Sequence, residues 1–151
     1  KIHASIQKEE QFQPIELGNI YSKRDWSDSE DFVKGIWLMI NEDEPKDYLL
    51  ASGETHTIKE FVDKAFKTAD IYGGWVEEEG EPLSSRYLMN AHNYQPLVTI
   101  NPDFYRPAEI DLLLGDPSEA KRELHWKPEI SFDKLVEKMV LYDIEREKKK
   151  E

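Results

Sequence analysis

Tyr48-Leu49-Leu50-Ala51-Ser52-Gly53, followed shortly by Thr57-Ile58-Lys59-Glu60, is the stretch whose reading decides the fold class. The first run is apolar without a break until Ser52 and stops at a glycine, the pattern of a strand buried on both faces. The second is a capping box, in which the threonine oxygen accepts from an orphan amide while the glutamate reaches back to the threonine amide. Behind it Ile58, Phe61, Val62, Ala65, Phe66 and Ala69 recur with a period near 3.6, the apolar stripe of an amphipathic helix. A buried strand that runs into a capped helix, repeated elsewhere in the chain, argues for a mixed α/β or α+β fold.

Upstream, Ser27-Asp28-Ser29-Glu30 is a helix start with acids in its first turn. Phe32, Ile36, Trp37 and Ile40 follow at helical spacing, and Pro45 ends the stretch. Pro14-Ile15-Glu16-Leu17 predicts a short strand that stops at Gly18-Asn19, and the first ten residues are compatible with a helix. Downstream, Gly73-Gly74 turns into a strand at Trp75-Val76, and Leu97-Val98-Thr99-Ile100 predicts another. Residues 77–96 show no period and many turn formers, so they predict a long variable loop of the kind that usually serves as a lid or insertion. Asp116-Pro117 opens a short helix, with the aspartate as cap and the proline in the first turn. Leu124 and Trp126 close it before Pro128. A last helix runs from Ser131, with Phe132, Leu135, Val136, Met139 and Val140 on one face and a charged helical tail at 145–151.

A chain of 151 residues fits one domain. Its 38% hydrophobic and 11% aromatic content is too rich in large apolar side chains for a disordered chain. A net charge of −12 repels phosphate backbones and anionic lipid, so neither nucleic acid nor membrane is an expected partner. The absence of cysteine excludes thiol catalysis, disulfides and cysteine-based zinc sites. No apolar run approaches the ~20 residues of a membrane helix, and the N-terminus lacks a secretion pattern. A soluble, cytoplasmic protein is the expectation.

Several chemistries need patterns that this chain lacks. A dinucleotide site needs a glycine-rich turn between strand and helix so that the pyrophosphate can approach the helix amides. The seven glycines, at 18, 35, 53, 73, 74, 80 and 115, do not fit the G-x-G-x-x-G spacing. A Tyr-x-x-x-Lys pair, whose cation lowers the phenol pKa, is also missing, because no tyrosine has lysine four residues on. The four histidines are far apart in sequence and read as surface or packing residues, so neither catalytic, cofactor-binding nor metal residues are expected here.

Two arginines stand out by context. Arg24 lies in Lys23-Arg24-Asp25-Trp26, read as a turn after a strand and ahead of a helix start. Arg106 lies in Phe104-Tyr105-Arg106-Pro107, at a strand exit, with Glu109 three residues on. An arginine fork on a loop can take a phosphate bidentately, and a following helix start adds positive potential. Glu109 can accept from the vicinal hydroxyls of a ribose. On spacing alone the opposing reading is the stronger: Arg24 pairs with Asp25 or Asp28, and Arg106 with Asp103, Glu109 or Asp111, as surface ion pairs. Trp26, Trp37, Trp75 and Trp126 read as core and interface fillers rather than base-stacking platforms.

Leu17-Gly18-Asn19, Lys23-Arg24-Asp25-Trp26, Asp31-Phe32-Val33, Trp37-Leu38-Met39, Asp43-Glu44-Pro45 and Ala51-Ser52-Gly53-Glu54 together resemble the GDP-mannose 4,6-dehydratases. Phe104-Tyr105-Arg106-Pro107-Ala108-Glu109-Ile110-Asp111, Leu114-Gly115-Asp116-Pro117 and Trp126-Lys127-Pro128 continue that resemblance, in order, almost to the end. It implies the substrate-binding portion of an extended short-chain dehydrogenase/reductase, without the cofactor-binding Rossmann half. It further implies that NADP is bound by that other half, which also carries the catalytic residues, and that this chain alone is inactive. The family's reaction turns GDP-mannose into the 4-keto-6-deoxy sugar nucleotide. By the resemblance Arg24 and Arg106 contact the substrate diphosphate, Glu109 the ribose, and Lys1 of Lys1-Ile2 the neighbourhood of the guanine. The implied partners are GDP-mannose, the Rossmann half and, in the complete enzyme, further copies in a homo-oligomer. The alternatives are a stand-alone nucleotide-sugar binding or assembly module, and half of a related nucleotide-sugar reductase or epimerase.

Overall fold

The computed structural model describes residues 2–78, 81–89, 95–106, 110 and 112–150. In chain order the elements are α1 (Ile2–Gln7), β1 (Ile15–Leu17), β2 (Lys23–Arg24), α2 (Ser29–Ile40), β3 (His56–Thr57) and α3 (Ile58–Thr68). They continue with β4 (Gly73–Glu78), β5 (Glu81–Met89), β6 (Pro96–Ile100), a 3-10 turn (Pro102–Phe104), β7 (Leu112–Leu113), α4 (Ser118–Glu123) and α5 (Phe132–Lys148). The class is mixed α/β, as expected. No helix among the described residues is long and apolar enough to cross a membrane.

The chain divides into two compact units. The first comprises Lys1–Ile20, Val62–Glu109 and Glu137–Glu151. Its sheet has the order β1-β6-β5-β4, with β1 parallel to β6 and the other pairs antiparallel. β6 lies second from one edge, and its Leu97 and Val98 are fully buried. Phe66, Ala69, Ile71 and Tyr87 close the core around them, with Ile2, Ile6, Val140 and Ile144 packed at its margin. Tyr87 lies against Phe66 at 4.8 Å and edge-on to Trp75 at 5.4 Å between ring centroids. That arrangement suits the ring quadrupoles.

The second unit comprises Tyr21–Phe61 and Ile110–Val136. Its sheet, β3-β2-β7, is made of two-residue strands only. The unit is therefore held by other means. Ala120, Leu124 and Trp126 form its core, with Phe32, Leu38, Met39, Tyr48 and Leu50 packed against them. Asp31, fully buried, accepts the amides of Glu129 (2.9 Å) and Ile130 (3.0 Å) on one carboxylate oxygen, and its carbonyl accepts from Trp126 Nε1 at 2.9 Å. Lys34 approaches the other oxygen at 3.6 Å and also pairs with Glu129.

Local signals in the sequence were sound. The capping box forms as read: Thr57 N donates to Glu60 Oε2 at 2.7 Å, and Glu60 N to Thr57 Oγ1 at 3.0 Å. Asp28 accepts from Glu30 N at 2.8 Å and starts α2. At α4 the side chain of Asp116 accepts from Ser118 N at 3.0 Å, while the capping position itself is Pro117.

Four expectations are corrected. Residues 77–96, read as a loop, contain β5, which is paired on both sides, and also the end of β4 and the start of β6. The ladder stabilises a segment whose own sequence has no strong period, as cross-strand packing commonly does. Tyr48–Ser52, read as a strand, belongs to no strand among the described residues. On α2, Phe32 turns inward with Leu38 and Met39, but Ile36, Trp37 and Ile40 are exposed. The helix carries two apolar faces, and the spacing alone does not tell which one the chain covers. Met139 on α5 is likewise exposed, whereas Phe132, Leu135 and Val136 are buried.

Candidate functional site

Lys23-Arg24-Asp25-Trp26 is fixed to several parts of the second unit. β2 is the middle strand, so Arg24 stands opposite His56 on one side and Leu113 on the other. This corrects the sequence reading of Arg24 as a turn residue. Its Nη1 donates to the carbonyl of Lys23 and to that of Ile110, both at 2.9 Å. Ile110 lies four residues beyond Arg106 in the sequence.

Asp25 faces away from that task. One carboxylate oxygen accepts from Ser52 N (2.9 Å) and Ser52 Oγ (2.6 Å), and the other accepts from Gly53 N at 2.9 Å. Gly53 has φ +80, a left-handed conformation that glycine adopts without penalty. Trp26 stacks on Phe132 at 5.5 Å, and Phe132 in turn lies flat on the His56 imidazole at 3.9 Å and 5°. The carboxylates of Asp25 and Asp28 are thus engaged with backbone amides, Asp25 with those of the distant Ser52 and Gly53 and Asp28 with that of Glu30 in its own turn. The sequence reading that set Arg24 against either of them as a simple surface ion pair missed those roles.

His56 was read only as a surface or packing residue. It is the cross-strand neighbour of Arg24, its Nδ1 stands 3.6 Å from Glu60 Oε2, and its Nε2 is buried with no hydrogen-bond partner. The hydroxyls of Ser22 and Ser27, flanking β2, are also buried without one. The only sequence signal for this grouping is the capping box next to His56, which fixes where β3 ends but not what it faces.

Arg106 belongs to the first unit. β6 runs from its buried residues Leu97 and Val98 to Ile100, and Asn101 then caps the 3-10 turn by accepting from Asp103 N at 2.9 Å. Asn101 N donates to Leu17 O at 2.8 Å, which ties this exit to β1. Gly18 permits the close approach: a Cβ there would sit 2.7 Å from the Phe104 carbonyl oxygen. Arg106 follows, exposed, two residues after the 3-10 turn and outside any helix or strand, where binding residues are commonly found. Lys1 and Glu109 lie outside the described residues. Trp126 is a core residue and Trp26 and Trp75 are half-buried, in keeping with their reading as fillers, whereas Trp37 is exposed.

The described residues contain no group of three His, Asp or Glu side chains placed to hold a metal ion. The glycine turn ahead of α3, at Gly53, already has its amide and that of Ser52 taken by a carboxylate, where a pyrophosphate would meet like charge.

Comparison with known proteins agrees with this architecture. A family model described as GDP-mannose 4,6 dehydratase matches residues 1–139. The GDP-mannose 4,6 dehydratase of Drosophila melanogaster is 42% identical over 151 residues, covering 96% of this chain and 36% of that protein. The human GDP-mannose 4,6 dehydratase is 40% identical over 136 residues, covering 89% and 35%. Among solved structures, RMD from Pseudomonas aeruginosa complexed with NADPH has a TM-score of 0.64 at 21% identity, covering 92% of this chain and 38% of that one. UDP-glucose 4-epimerase from Thermotoga maritima with UDP-glucose reaches 0.67 at 14% identity, covering 95% and 38%. At such identities the structural likeness shows the fold alone. The chain spans little more than a third of the length of these relatives, matching their C-terminal portion, and it belongs to the GDP-mannose 4,6 dehydratase family.

Proposed function

We propose that this chain is the substrate-gripping portion of a GDP-mannose 4,6-dehydratase, which works only together with the NADP-binding portion that its relatives carry. In this reading Arg24 and Arg106 hold the diphosphate, Glu109 accepts from the ribose hydroxyls, and Lys1 lies near the guanine. The finished enzyme is a homo-oligomer that dehydrates GDP-mannose to its 4-keto-6-deoxy product. The family match over residues 1–139, with both arginine motifs inside it, carries the proposal.

The chain's own part is to bind and orient. The field of a protein with net charge −12 opposes a diphosphate, so local cations must overcome it. Planar guanidinium forks do so with paired charge-assisted hydrogen bonds, which a lysine does not reproduce. Arg24, already anchored through Nη1 by two carbonyls, is pre-organised and loses little rotamer freedom when a ligand arrives. NADP supplies the hydride chemistry when it is bound. Residues of this chain offer neither a glycine-rich turn nor a Tyr/Lys pair, so no redox step is assigned to them.

The test joins this chain to the preceding portion of the Drosophila relative and measures GDP-mannose binding by calorimetry and product formation with NADP. Arg106→Ala and Arg24→Ala are each expected to weaken GDP-mannose about 10- to 100-fold, at ~1.4 kcal/mol per decade, with NADP affinity unchanged. Because Arg24 also holds Ile110, Arg24→Lys serves as its control and is expected to recover only part of the loss. Glu109→Gln is expected to cost less, since a neutral acceptor remains. Binding within twofold of the parent in both alanine variants would remove the arginines from the site. Turnover by the unjoined chain would overturn the division of labour.

A further inference from the structure

Protein interiors leave few voids larger than a water molecule, so a large apolar gap beside a core asks for an occupant. The first unit holds such a gap, a cavity of about 740 Å³ between α1, the end of α3 and α5. Its walls are apolar: Ile2 on α1, Ile15 on β1, Phe66 on α3, and Val140 and Ile144 on α5. Ala65 and Ala69, the small residues of the α3 stripe, leave the room. The way α1 ends is the local cause. Glu9 has φ +56, and Glu10 N donates to Ser5 O at 2.9 Å, which closes the helix after six residues. So short a helix covers only part of the groove that α3 and α5 form, and Ile15 is left 45% exposed.

The lining selects the ligand. None of the buried polar atoms that lack a partner lies along it, so a base or a sugar would find little to hydrogen-bond in its depth. Phe66, buried and packed on Tyr87 at 4.8 Å, is no stacking platform either. Loosely held water against such walls is displaced with profit by an apolar body. The exposed part of the lining adds charge. Its acids, Asp143 and Glu147, are paired along α5 with Arg146 (3.3 Å) and Lys150. Lys8 and Lys148 lie in the same lining, so this rim offers ammonium groups on a protein whose net charge is −12. We infer that the cavity binds a free single-chain amphipathic carboxylate, with its alkyl body among Ile2, Ile15, Phe66, Val140 and Ile144. Its head lies toward Lys8 and Lys148, whose ammonium groups suit a mobile anion as point charges. The volume is that of a site for one small molecule. An anionic membrane is not the source, because the field of the whole chain opposes it. The inference goes beyond the arginine clamp and does not depend on it.

The test is calorimetry on the chain joined to the preceding portion of the Drosophila relative, with laurate below its micelle concentration as the probe. Laurate is expected to bind one per chain, and dodecyltrimethylammonium, with the same tail and the opposite head, about tenfold more weakly. Ala65→Phe, which fills the space from α3, should weaken laurate about tenfold through lost burial of its tail. Lys148→Glu, at an exposed position, should weaken it about threefold and leave the melting temperature unchanged. GDP-mannose should not displace it. Equal affinity for the two head groups, or for the parent and Lys148→Glu, removes the charged rim and overturns the proposal, even where Ala65→Phe fails to fold. Three other outcomes overturn it as well. Displacement of laurate by GDP-mannose would assign the cavity to the nucleotide sugar. No binding in the joined protein would mean that the preceding portion fills the space. Co-sedimentation with phosphatidylglycerol vesicles would make a membrane the source.

Discussion

The two units reach stability by different routes. In the first, a four-stranded sheet buries Leu97 and Val98 completely, and an aromatic pair seals the core. In the second, strands of two residues contribute little, and three aspartates tie turns together through backbone amides. Asp25 holds Ser52 and Gly53, Asp28 starts α2, and Asp31 holds residues 129 and 130. The first unit leans on non-directional burial, which tolerates rearrangement. The second leans on directional bonds, which hold a few atoms in fixed places.

That contrast can be broken by substitution. Leu97→Ala should be the most damaging change in the first unit, about 3–4 kcal/mol from lost burial and the cavity left behind. Asp31→Ala should cost the second unit nearly as much, about 3 kcal/mol, because the amides of Glu129 and Ile130, between α4 and α5, lose their acceptor in a dry site. Denaturant titration of each variant measures both. If Asp31→Ala costs under ~1 kcal/mol, the polar ties are ornamental and the second unit is held by packing like the first. Asp25→Ala should be milder, about 2 kcal/mol, since water can reach the Gly53 turn and replace part of what is lost.

The smallest effect sharpens the comparison at the surface. Lys46 bridges Glu119 at 2.6 Å and Glu123 at 2.8 Å, Tyr48 donates to Glu123 at 3.1 Å, and Arg122 also reaches Glu123. The Lys46 ammonium, then Arg122, hold the Glu123 carboxyl down to about 2. A carboxyl depressed in the folded state adds stability above its ordinary value near 4.5, and that stability is lost as pH falls toward 2. The melting-temperature difference between the parent and Glu123→Gln should therefore be present at pH 6, shrink between pH 4.5 and 2, and shrink with added salt. A difference that persists at pH 2 would mean that Glu123 acts by packing rather than by charge.

How much was legible in advance follows from where each interaction finds its partner. Thr57 and Glu60 are three residues apart, so the capping box was readable, and so was the start of α2 at Asp28. The ordered motifs also identified the family, because many short strings in register are unlikely to recur by chance. Tyr48–Ser52 shows the limit from the other side: its residues favour a strand, but a strand exists only where a neighbour supplies the ladder. β5 is the converse, a segment without period that β4 and β6 on either side make into a strand.

The candidate site divides in the same way. Arg24 and Arg106 were singled out as cations at element boundaries, from sequence context alone. That Arg24 lies in the middle of a sheet, opposite His56, and grips a carbonyl 86 residues away was decided by tertiary structure. So was the task of Asp25, whose amide partners lie 27 and 28 residues away. Which apolar face of α2 turns inward was decided there too, since both faces satisfy the helical period and only packing distinguishes them. Sequence fixes interactions that close within one helical turn, because the chain itself brings those atoms together. Contacts between distant segments depend on which surfaces meet, and that is settled only when the whole chain has folded.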